Sequence, residues 1–506
     1  MSTETIILVG VSIYLVAMLV IGVAVARRAG SQEDFIVAGR RLPIWILSAT
    51  IIATWFGGGT MLGGAGAGYE GGFLAAIADP FGGSLVLILV GFFFVRTFRR
   101  MKLLTVVEFF EDRFGRIAGI VASVGLILSN IGWTGAMLVA FGHVFQTLTG
   151  IPMEVGILGG AVIVIGYTTV GGMWAVALTD FVQVVILAIG LFMLLTVVLI
   201  DVGGWSAIAP QLPEHSFRMI PLEHTTERWL NYLRLWFIFG LADLSAQTLM
   251  QRVFAARNEQ VAQNSFYLAG AGYLLLGLIP VTLGIIASVT MPGLADPETV
   301  IPRMAVEHLH PVAIAIFVGA MLAAIMSSAD SALLATASII SVNIAPLFKA
   351  DIRPDKKLLI TRIAIPACGI IAVYVALKVQ VVLELMFDAN SFMMASVTIP
   401  FIAGVWWKKA NRTGALTAMA VGFIAWVLIE WIYPNLAGDV LGLLFAAAAI
   451  AIVTPLTQSF DPPRPLIDGD GKPIDLRDRL GILPLFSRAK PGRISSDEVD
   501  EPKLLG

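Results

Sequence analysis

Residues 53–72 read ATWFGGGTMLGGAGAGYEGG and lie inside a long apolar segment of the chain. Each glycine in a helix interior costs about 1 kcal/mol relative to alanine, so the three consecutive glycines at 57–59 favour a break in a helix. A break releases backbone carbonyls, which a membrane interior tolerates only where they are buried or bind a ligand. Close packing of two helices is the alternative explanation, but the further GG and GAG repeats exceed what a packing motif needs. We therefore predict an interrupted helix with a binding site at the interruption.

The composition indicates that this segment belongs to a membrane protein. Of the 506 residues, 58% are hydrophobic and only 13% are charged, whereas soluble domains carry about 25% charged residues. Apolar runs of about 20 residues predict about thirteen transmembrane helices and an all-α polytopic membrane protein. The predicted spans lie near residues 5–27, 44–68, 73–98, 117–147, 153–170, 176–200, 229–254, 263–291, 311–345, 358–378, 380–405, 414–433 and 437–457.

A second interruption is predicted in FGLADLSAQTLMQRV, residues 239–253, where several polar side chains lie near the middle of an apolar segment. When the span 44–68 is counted as the first core helix, this segment belongs to the sixth. Interrupted first and sixth helices fit transporters built as a five-plus-five inverted repeat, in which substrate and ions bind beside the interruptions. We expect the repeat to occupy about residues 44–433, with flanking helices.

Loop charges predict the orientation of the chain, because cytoplasmic loops are rich in Lys and Arg. With the N-terminus outside, every second loop is basic and therefore cytoplasmic. These loops contain Arg27, Arg28, Arg40, Arg41, Arg96, Arg99, Arg100, Lys102, Arg113, Arg116, Arg252, Arg257, Lys349, Arg353, Lys356, Lys357, Lys408, Lys409 and Arg412. We expect residues 1–458 to form the transmembrane domain and the polar tail 459–506 to be cytoplasmic and partly disordered. The lack of a signal peptide favours a bacterial inner membrane.

The stretch AAIMSSADSALLATAS, residues 323–338, predicts the partner of the first interruption. Ala324, Ser327 and Ser328 are spaced i, i+3, i+4 and so share one helix face. Serine hydroxyls in helices lie near the carbonyls three and four residues back, which brings the carbonyl of Ala324 and both hydroxyls to one point. Together with carbonyls released at 57–59, these neutral oxygens suit Na⁺ better than Ca²⁺ or Mg²⁺, which usually recruit carboxylates. A packing interface of small residues is the alternative.

Acidic residues within the apolar segments predict a second site. A carboxylate in a bilayer is costly unless a ligand or partner neutralises it. Asp330 lies beside the serine face, and Asp180 follows a short loop at 171–173. With Ser331, these acids could bind a second cation or a proton, and a helix-capping role of Asp180 is the alternative. Asp79 is a further intramembrane acid that would face a cavity.

Several motifs resemble those of the sodium:solute symporter family over about residues 5–460. MSSADSALLATAS resembles the sodium-site helix of that family, GGMWAVALTDFVQ its GG…TD segment, and AGRRLP…ATWFGGG the entry to its first core helix. The resemblance implies a LeuT-like fold with flanking helices. The first Na⁺ site that it implies consists of the carbonyls of Ala53, Phe56 and Ala324 and the hydroxyls of Ser327 and Ser328. A second sodium site of some members corresponds to Asp180, Ser327, Asp330 and Ser331.

Within the family, ATWFGGG, GWTGAML and MQRVF are most similar to the high-affinity choline transporters, which hold a quaternary ammonium in an aromatic cage. Trp55 and Trp133 match two positions of that cage, whereas Gly83 and Ala246 replace two other aromatic residues. The candidate substrate-binding residues are Trp55, Trp133, Asp243 and Gln247. Choline, another cationic or zwitterionic solute, an amino acid and a monocarboxylate all stay open as substrates.

The expected function is Na⁺-coupled symport of a small organic solute into the cell by alternating access, without enzymatic activity. The expected partners are this solute, Na⁺ and the lipid bilayer. No G-x-x-x-x-G-K-[ST] motif indicates a nucleotide, and the net charge of −2 favours no nucleic acid. A channel would need a continuous polar pore, and an intramembrane enzyme a catalytic constellation, but only His143 among the histidines lies within a predicted span. A transport-like sensor would need a signalling domain.

Overall fold

The computed structural model describes residues 3–349, 351–379, 390–433 and 436–482 of the chain. Within these ranges the regular structure is helical and no strand forms. Eight of the described helices are long and apolar enough to cross a membrane, and up to ten spans result when each of two bent helix pairs counts as one span. The all-α polytopic class is thereby confirmed, whereas the number of thirteen spans stays a prediction. Part of the predicted span 380–405, residues 380–389, lies outside the described residues.

The described ranges contain twenty helices, numbered in chain order. They are α1 (Thr3–Val25), α2 (Gln32–Val37), α3 (Ile44–Trp55), α4 (Gly64–Ala75), α5 (Gly83–Phe93), α6 (Val95–Met101), α7 (Val106–Phe114), α8 (Arg116–Thr149), α9 (Met153–Asp201), α10 (Trp205–Ile208), α11 (Thr226–Gly240), α12 (Gln247–Ala255), α13 (Glu259–Thr290), α14 (Val300–His308), α15 (Pro311–Ile339), α16 (Ala345–Phe348), α17 (Pro354–Val379), α18 (Asn390–Trp406), α19 (Arg412–Ile432) and α20 (Gly438–Thr457). Helices satisfy their backbone hydrogen bonds internally, which a bilayer requires of a spanning segment.

The first interruption lies where the glycines predict it, between α3 and α4. Helix α3 ends at Trp55, and Phe56 leaves helical geometry with a ψ of 76°. A π-helical turn, Gly59–Gly63, then leads into α4, and the two halves are bent by 65°. The amide of Gly57 donates to the carbonyl of Trp55 instead of that of Ala53, four residues back. The carbonyl of Ala53 is thereby released from the helical hydrogen-bond pattern.

The second predicted interruption lies between α11 and α12. Helix α11 ends at Gly240, a short 3-10 turn covers Ala242–Ser245, and α12 begins at Gln247. Within this turn the carbonyl of Asp243 accepts a hydrogen bond from the amide of Ala246 at 3.0 Å. Both interruptions therefore occur in the segments that a five-plus-five repeat assigns to its first and sixth helices.

Helix α9 consists of two spans. At 1.5 Å per residue its 49 residues would extend about 74 Å, far beyond a hydrocarbon core of about 30 Å. Gly172 interrupts the helix with a left-handed φ of 56° and lies against the backbone of Phe35, where a side chain would collide. The chain therefore turns at Gly172, which agrees with the predicted spans 153–170 and 176–200.

Helix α15 lies at the centre of the bundle. Every residue from 317 to 339 is buried, and the helix packs against α1, α3, α8, α9 and α17. Its many alanines and serines permit this close approach. The polar groups of α15 must therefore find partners within the protein, because an unpaired polar group in an apolar interior costs several kcal/mol, roughly 2–7.

The described part of the tail packs against one end of the bundle. This end, called the basic end, carries Arg40, Arg99, Arg100 and Arg113. Tail residues Leu466 and Ile474 are buried, and the guanidinium of Arg479 donates to the carbonyl of Val405 in α18. Buried apolar side chains and Arg479 therefore hold residues 459–482 in place against the bundle. Residues 483–506 lie outside the described residues.

Candidate sodium and substrate sites

The two serines of α15 face the interruption between α3 and α4. The hydroxyl of Ser327 lies 2.8 Å from the carbonyl of Ala53 and 2.9 Å from that of Ala324. The hydroxyl of Ser328 lies 2.9 Å from the carbonyl of Thr54. Both serines are buried. These three carbonyls and two hydroxyls, called the serine cluster, are five neutral oxygens gathered between a released helix end and an intact helix.

Glycine at position 57 permits this approach. A Cβ atom at Gly57 would lie 2.8 Å from the hydroxyl oxygen of Ser328 and 3.0 Å from the sulfur of Met137. Such contacts are too short for any side chain, so a larger residue would push α15 away from the interruption. The glycines predicted to break the helix therefore also provide the space in which the serine cluster forms.

Four of the five predicted ligands of the first Na⁺ site meet in the serine cluster. They are Ala53, Ala324, Ser327 and Ser328. The hydrogen bonds of Ser328 run to the carbonyls of Thr54 and Ala53, so Thr54 joins the group, and the carbonyl of Phe56 stays a predicted fifth ligand. The break releases carbonyls at the end of α3, because the amide groups four residues further along the chain leave the helix and no longer donate to them. A set of neutral hydroxyl and carbonyl oxygens fits a small monovalent cation.

The three residues predicted as a second cation site lie together and are fully buried. Thr50 donates a hydrogen bond to the carboxylate of Asp180. The carboxylate of Asp330 accepts hydrogen bonds from the hydroxyl of Tyr167 at 2.5 Å and from that of Ser331 at 3.1 Å. Asp180, Asp330 and Ser331 are called the acidic cluster.

A guanidinium group, which the sequence did not reveal, also lies in the acidic cluster. Arg252 is fully buried; its Nη2 atom donates to the hydroxyl of Ser331 at 2.5 Å and lies 3.6 Å from a carboxylate oxygen of Asp180. The prediction that Arg252 lies in a cytoplasmic loop is wrong, because the residue belongs to α12 and is buried in the bundle. The sequence did contain a signal for this buried position, because Gln251 and Arg252 fall within the predicted span 229–254.

A central cavity lies beside the serine cluster and between the two interruptions. Its space free of protein atoms is about 740 Å³, open solvent included. Thr54, Gly57 and Ser328 form the wall toward the serine cluster. The cavity is further lined by Trp55, Trp133, Tyr273, Asp79 and Asp243, and none of its described lining residues is Lys, Arg or His.

Tyr273 supplies an aromatic ring that the motif comparison missed. Its ring is edge-on to that of Trp55, with centroids 6.4 Å apart, and its hydroxyl donates to a carboxylate oxygen of Asp79 at 2.7 Å. A Cβ atom at Gly83 would lie 2.8 Å from this ring. Tyr273 therefore fills the space beside Gly83, where the resemblance leads one to expect a second aromatic side chain. No comparable ring replaces the side chain missing at Ala246 among the described lining residues.

Gln247 is not part of the central cavity. Its amide oxygen accepts a hydrogen bond from the amide of Val106 at 2.7 Å, and its amide nitrogen donates to the carbonyl of Leu104 at 3.3 Å. The side chain thereby satisfies backbone groups at the start of α7, which the helix itself leaves unpaired. Its predicted role in substrate binding does not fit this geometry.

The model of the sodium:solute symporter family matches residues 35–422 of the chain. The chain belongs to the sodium:solute symporter family. Among the relatives of this symporter, high-affinity choline transporter 1 of Caenorhabditis elegans is 28% identical over 458 residues, which cover 82% of this chain and 76% of the relative. The sodium/glucose cotransporter of Vibrio parahaemolyticus is 27% identical over 497 residues, which cover 89% and 90%.

A solved structure supports the fold of the symporter. It is that of a Na⁺-coupled sialic acid symporter in a substrate-bound outward-open state, with a TM-score of 0.81 at 21% identity over 93% of this chain and 99% of that one. The predicted LeuT-like fold is confirmed. The protein is an integral membrane symporter that couples the transport of a small solute to Na⁺. Its family and relatives are transporters and not enzymes.

A second cavity extends the central cavity of the symporter. Gly59 and Asp79 line both cavities, and the second one continues past Glu70 and Glu298. These glutamates lie on the segments around α4 and the turn before α14, away from the basic end. A solute that approaches along this route therefore meets negative charge before it reaches the central cavity.

Proposed function

We propose that the symporter carries a small organic cation, of the quaternary-ammonium or amine class, in the central cavity. The observation that carries the proposal is the combination of two carboxylates, Asp79 and Asp243, with three aromatic rings and without a basic residue among the described lining residues. Aromatic faces attract a desolvated cation by about 2 kcal/mol or more. Trp55, Trp133 and Tyr273 would surround the cationic group.

The charge of the cavity distinguishes between the classes of solute. A carboxylate removed from water is costly unless a cation balances it, and Asp79 is bonded only to the hydroxyls of Thr60 and Tyr273 in the described structure. A cationic solute supplies the missing charge. A monocarboxylate would instead face two carboxylates, and a neutral sugar would leave them unbalanced. The choline transporter relatives support the same class of solute.

We assign the first Na⁺ site to the serine cluster. Ala53, Thr54 and Ala324 would bind the ion through their carbonyls, and Ser327 and Ser328 through their hydroxyls. An ion at this point joins the interrupted first core helix to α15, so its binding and release would favour different states of the interruption. Inward movement of one positive charge gains about 2.3 kcal/mol per 100 mV of membrane potential, which would drive accumulation of the solute.

The orientation of the symporter follows from its charge distribution. We assign the basic end to the cytoplasm, with the N-terminus outside and the C-terminal tail inside, because Lys and Arg are enriched on cytoplasmic loops. A bacterial inner membrane is the proposed location. In this orientation the cavity that passes Glu70 and Glu298 would open to the outside.

Uptake into proteoliposomes tests the class of solute. Choline, betaine, proline and glucose would be offered with a sodium gradient and with a potassium gradient of equal size. We expect sodium-dependent accumulation of choline, and at least about a tenfold loss of it in Asp243→Asn, since 1.4 kcal/mol corresponds to a factor of ten. Asp296→Asn, which removes an exposed carboxylate, is the matched control. Accumulation of glucose or proline but not choline would contradict the proposal.

A further inference from the structure

We propose that the guanidinium of Arg252 is the resident cation of the acidic cluster, and that the symporter therefore binds a single Na⁺, at the serine cluster. The inference rests on the assignment of the first Na⁺ site under Proposed function and adds the number of coupling ions. Of the predicted alternatives at Asp180, Asp330 and Ser331, a second cation or a proton, it replaces the second cation.

Arg252 lies among the groups that a second Na⁺ would need as ligands, although one carboxylate oxygen of Asp180 has no hydrogen-bond partner. Its Nη2 atom donates to the hydroxyl of Ser331 at 2.5 Å and lies 3.6 Å from a carboxylate oxygen of Asp180. Both oxygens of Asp330 already accept hydrogen bonds, from Tyr167 and from Ser331. A sodium ion among these groups would lie close to a positive charge in a buried place, where repulsion is far stronger than in water.

The balance of charges within the acidic and serine clusters, apart from the cavity carboxylates Asp79 and Asp243 that we assign to the solute, also gives one ion. Asp180 and Asp330 carry two negative charges when ionised, and Arg252 carries one positive charge because a guanidinium keeps its proton in proteins. No other charged side chain forms an ion pair with these three in the part of the chain that the structure describes. One Na⁺ at the serine cluster brings the sum to zero. A second Na⁺ would leave an uncompensated positive charge, which is costly in the membrane interior.

The two clusters are close enough to share this balance because Thr54 belongs to the serine cluster and contacts the acidic cluster. Its carbonyl accepts a hydrogen bond from Ser328, and its hydroxyl lies 3.3 Å from that of Ser331. The serine cluster consists of neutral oxygens alone, so the net negative charge of the neighbouring cluster supplies the attraction for Na⁺ that its own ligands lack.

Equilibrium binding of radioactive sodium to the purified full-length symporter counts the ions directly and needs no knowledge of the solute. We expect one ion per wild-type protein. Arg252→Gln removes the resident cation and should bind two ions. Arg252→Gln combined with Asp180→Asn restores the charge balance and should return to one, whereas a purely structural effect of Arg252→Gln would not be reversed by a second substitution. Arg252→Lys keeps the charge and should also bind one ion.

Two ions bound to the wild-type protein would overturn the proposal, and so would a folded Arg252→Gln variant that binds one. If Arg252→Gln does not fold, the wild-type count and Arg252→Lys still decide the question. Failure of the underlying site assignment is recognised separately. Ser327→Ala with Ser328→Ala should weaken the binding of the single ion by about a hundredfold, and wild-type affinity in the variant would refute the serine cluster as its site without changing the count.

Discussion

Replacing both serines of the serine cluster by alanine should weaken Na⁺ binding by about a hundredfold. Ser327→Ala and Ser328→Ala leave three carbonyls from the five oxygens of the cluster. A hydrogen bond or contact to a charged group contributes about 1.5–3 kcal/mol, and 1.4 kcal/mol corresponds to about a factor of ten. Each hydroxyl therefore accounts for about tenfold or more. The double variant should lose less binding free energy than the upper values for the two hydroxyls add up to, because the ligands of one ion are not independent.

Thermal unfolding in sodium and in potassium buffer measures this loss without a known solute. At a sodium concentration of 100 times the dissociation constant, binding stabilises the native protein by about 2.7 kcal/mol, and a hundredfold weaker site leaves about 0.4 kcal/mol. The matched control is Thr336→Val on the same helix, a buried hydroxyl that bonds to the carbonyl of Ala332 at 2.8 Å. The reasoning is refuted if the double variant has the unfolding temperature of the wild type in potassium buffer and still gains the full stabilisation in sodium buffer.

Two further substitutions test the packing around the site and at the basic end. Gly57→Ala should raise the sodium concentration needed for half-maximal thermal stabilisation by about tenfold, a loss of about 1.4 kcal/mol, because its Cβ would lie 2.8 Å from the hydroxyl of Ser328. Gly63→Ala is its control, since no atom lies within 4 Å of the added methyl group, and equal effects of both would contradict the argument. Arg479→Ala should lower the free energy of unfolding by about 1–3 kcal/mol, because it leaves the buried carbonyls of Val405 and Ile474 without a donor. The exposed Arg477→Ala should have little effect on the unfolding midpoint, and a similar loss in both variants would argue against a docked tail.

The serine cluster could be predicted because local rules determine most of it. The i, i+3, i+4 spacing of Ala324, Ser327 and Ser328 fixes their shared face once the segment is helical. Consecutive glycines weaken a helix whatever its neighbours are, so the break at 57–59 could be placed within a few residues. Which carbonyls the break releases depends on the local path of the chain, and for this reason the contact of Ser328 with the carbonyl of Thr54 could not be predicted.

The partners of the acidic cluster and the cavity could not be predicted in this way. Arg252 bonds to groups 79 and 202 residues away in the sequence, and a basic residue near the end of an apolar segment is equally compatible with a loop. Tyr273 enters the cavity only because glycine at position 83 leaves room for its ring. Gln247 is a polar residue of the same apolar segment as Asp243 and was therefore an equal candidate for the cavity, but its side chain bonds to the backbone at the start of α7. Such contacts depend on how distant helices pack.

Coupling between ion and solute has a direct physical route in this arrangement, because one short segment contributes to both sites. Thr54 and Ser328 belong to the serine cluster and also line the central cavity. The ring of the next residue, Trp55, lines the cavity, and its carbonyl lies 3.3 Å from the hydroxyl of Tyr273. An ion that fixes the carbonyls at the end of α3 therefore also fixes the aromatic wall of the cavity. Since such coupling is reciprocal, any factor by which Na⁺ raises the affinity for the solute is also the factor by which the solute raises the affinity for Na⁺.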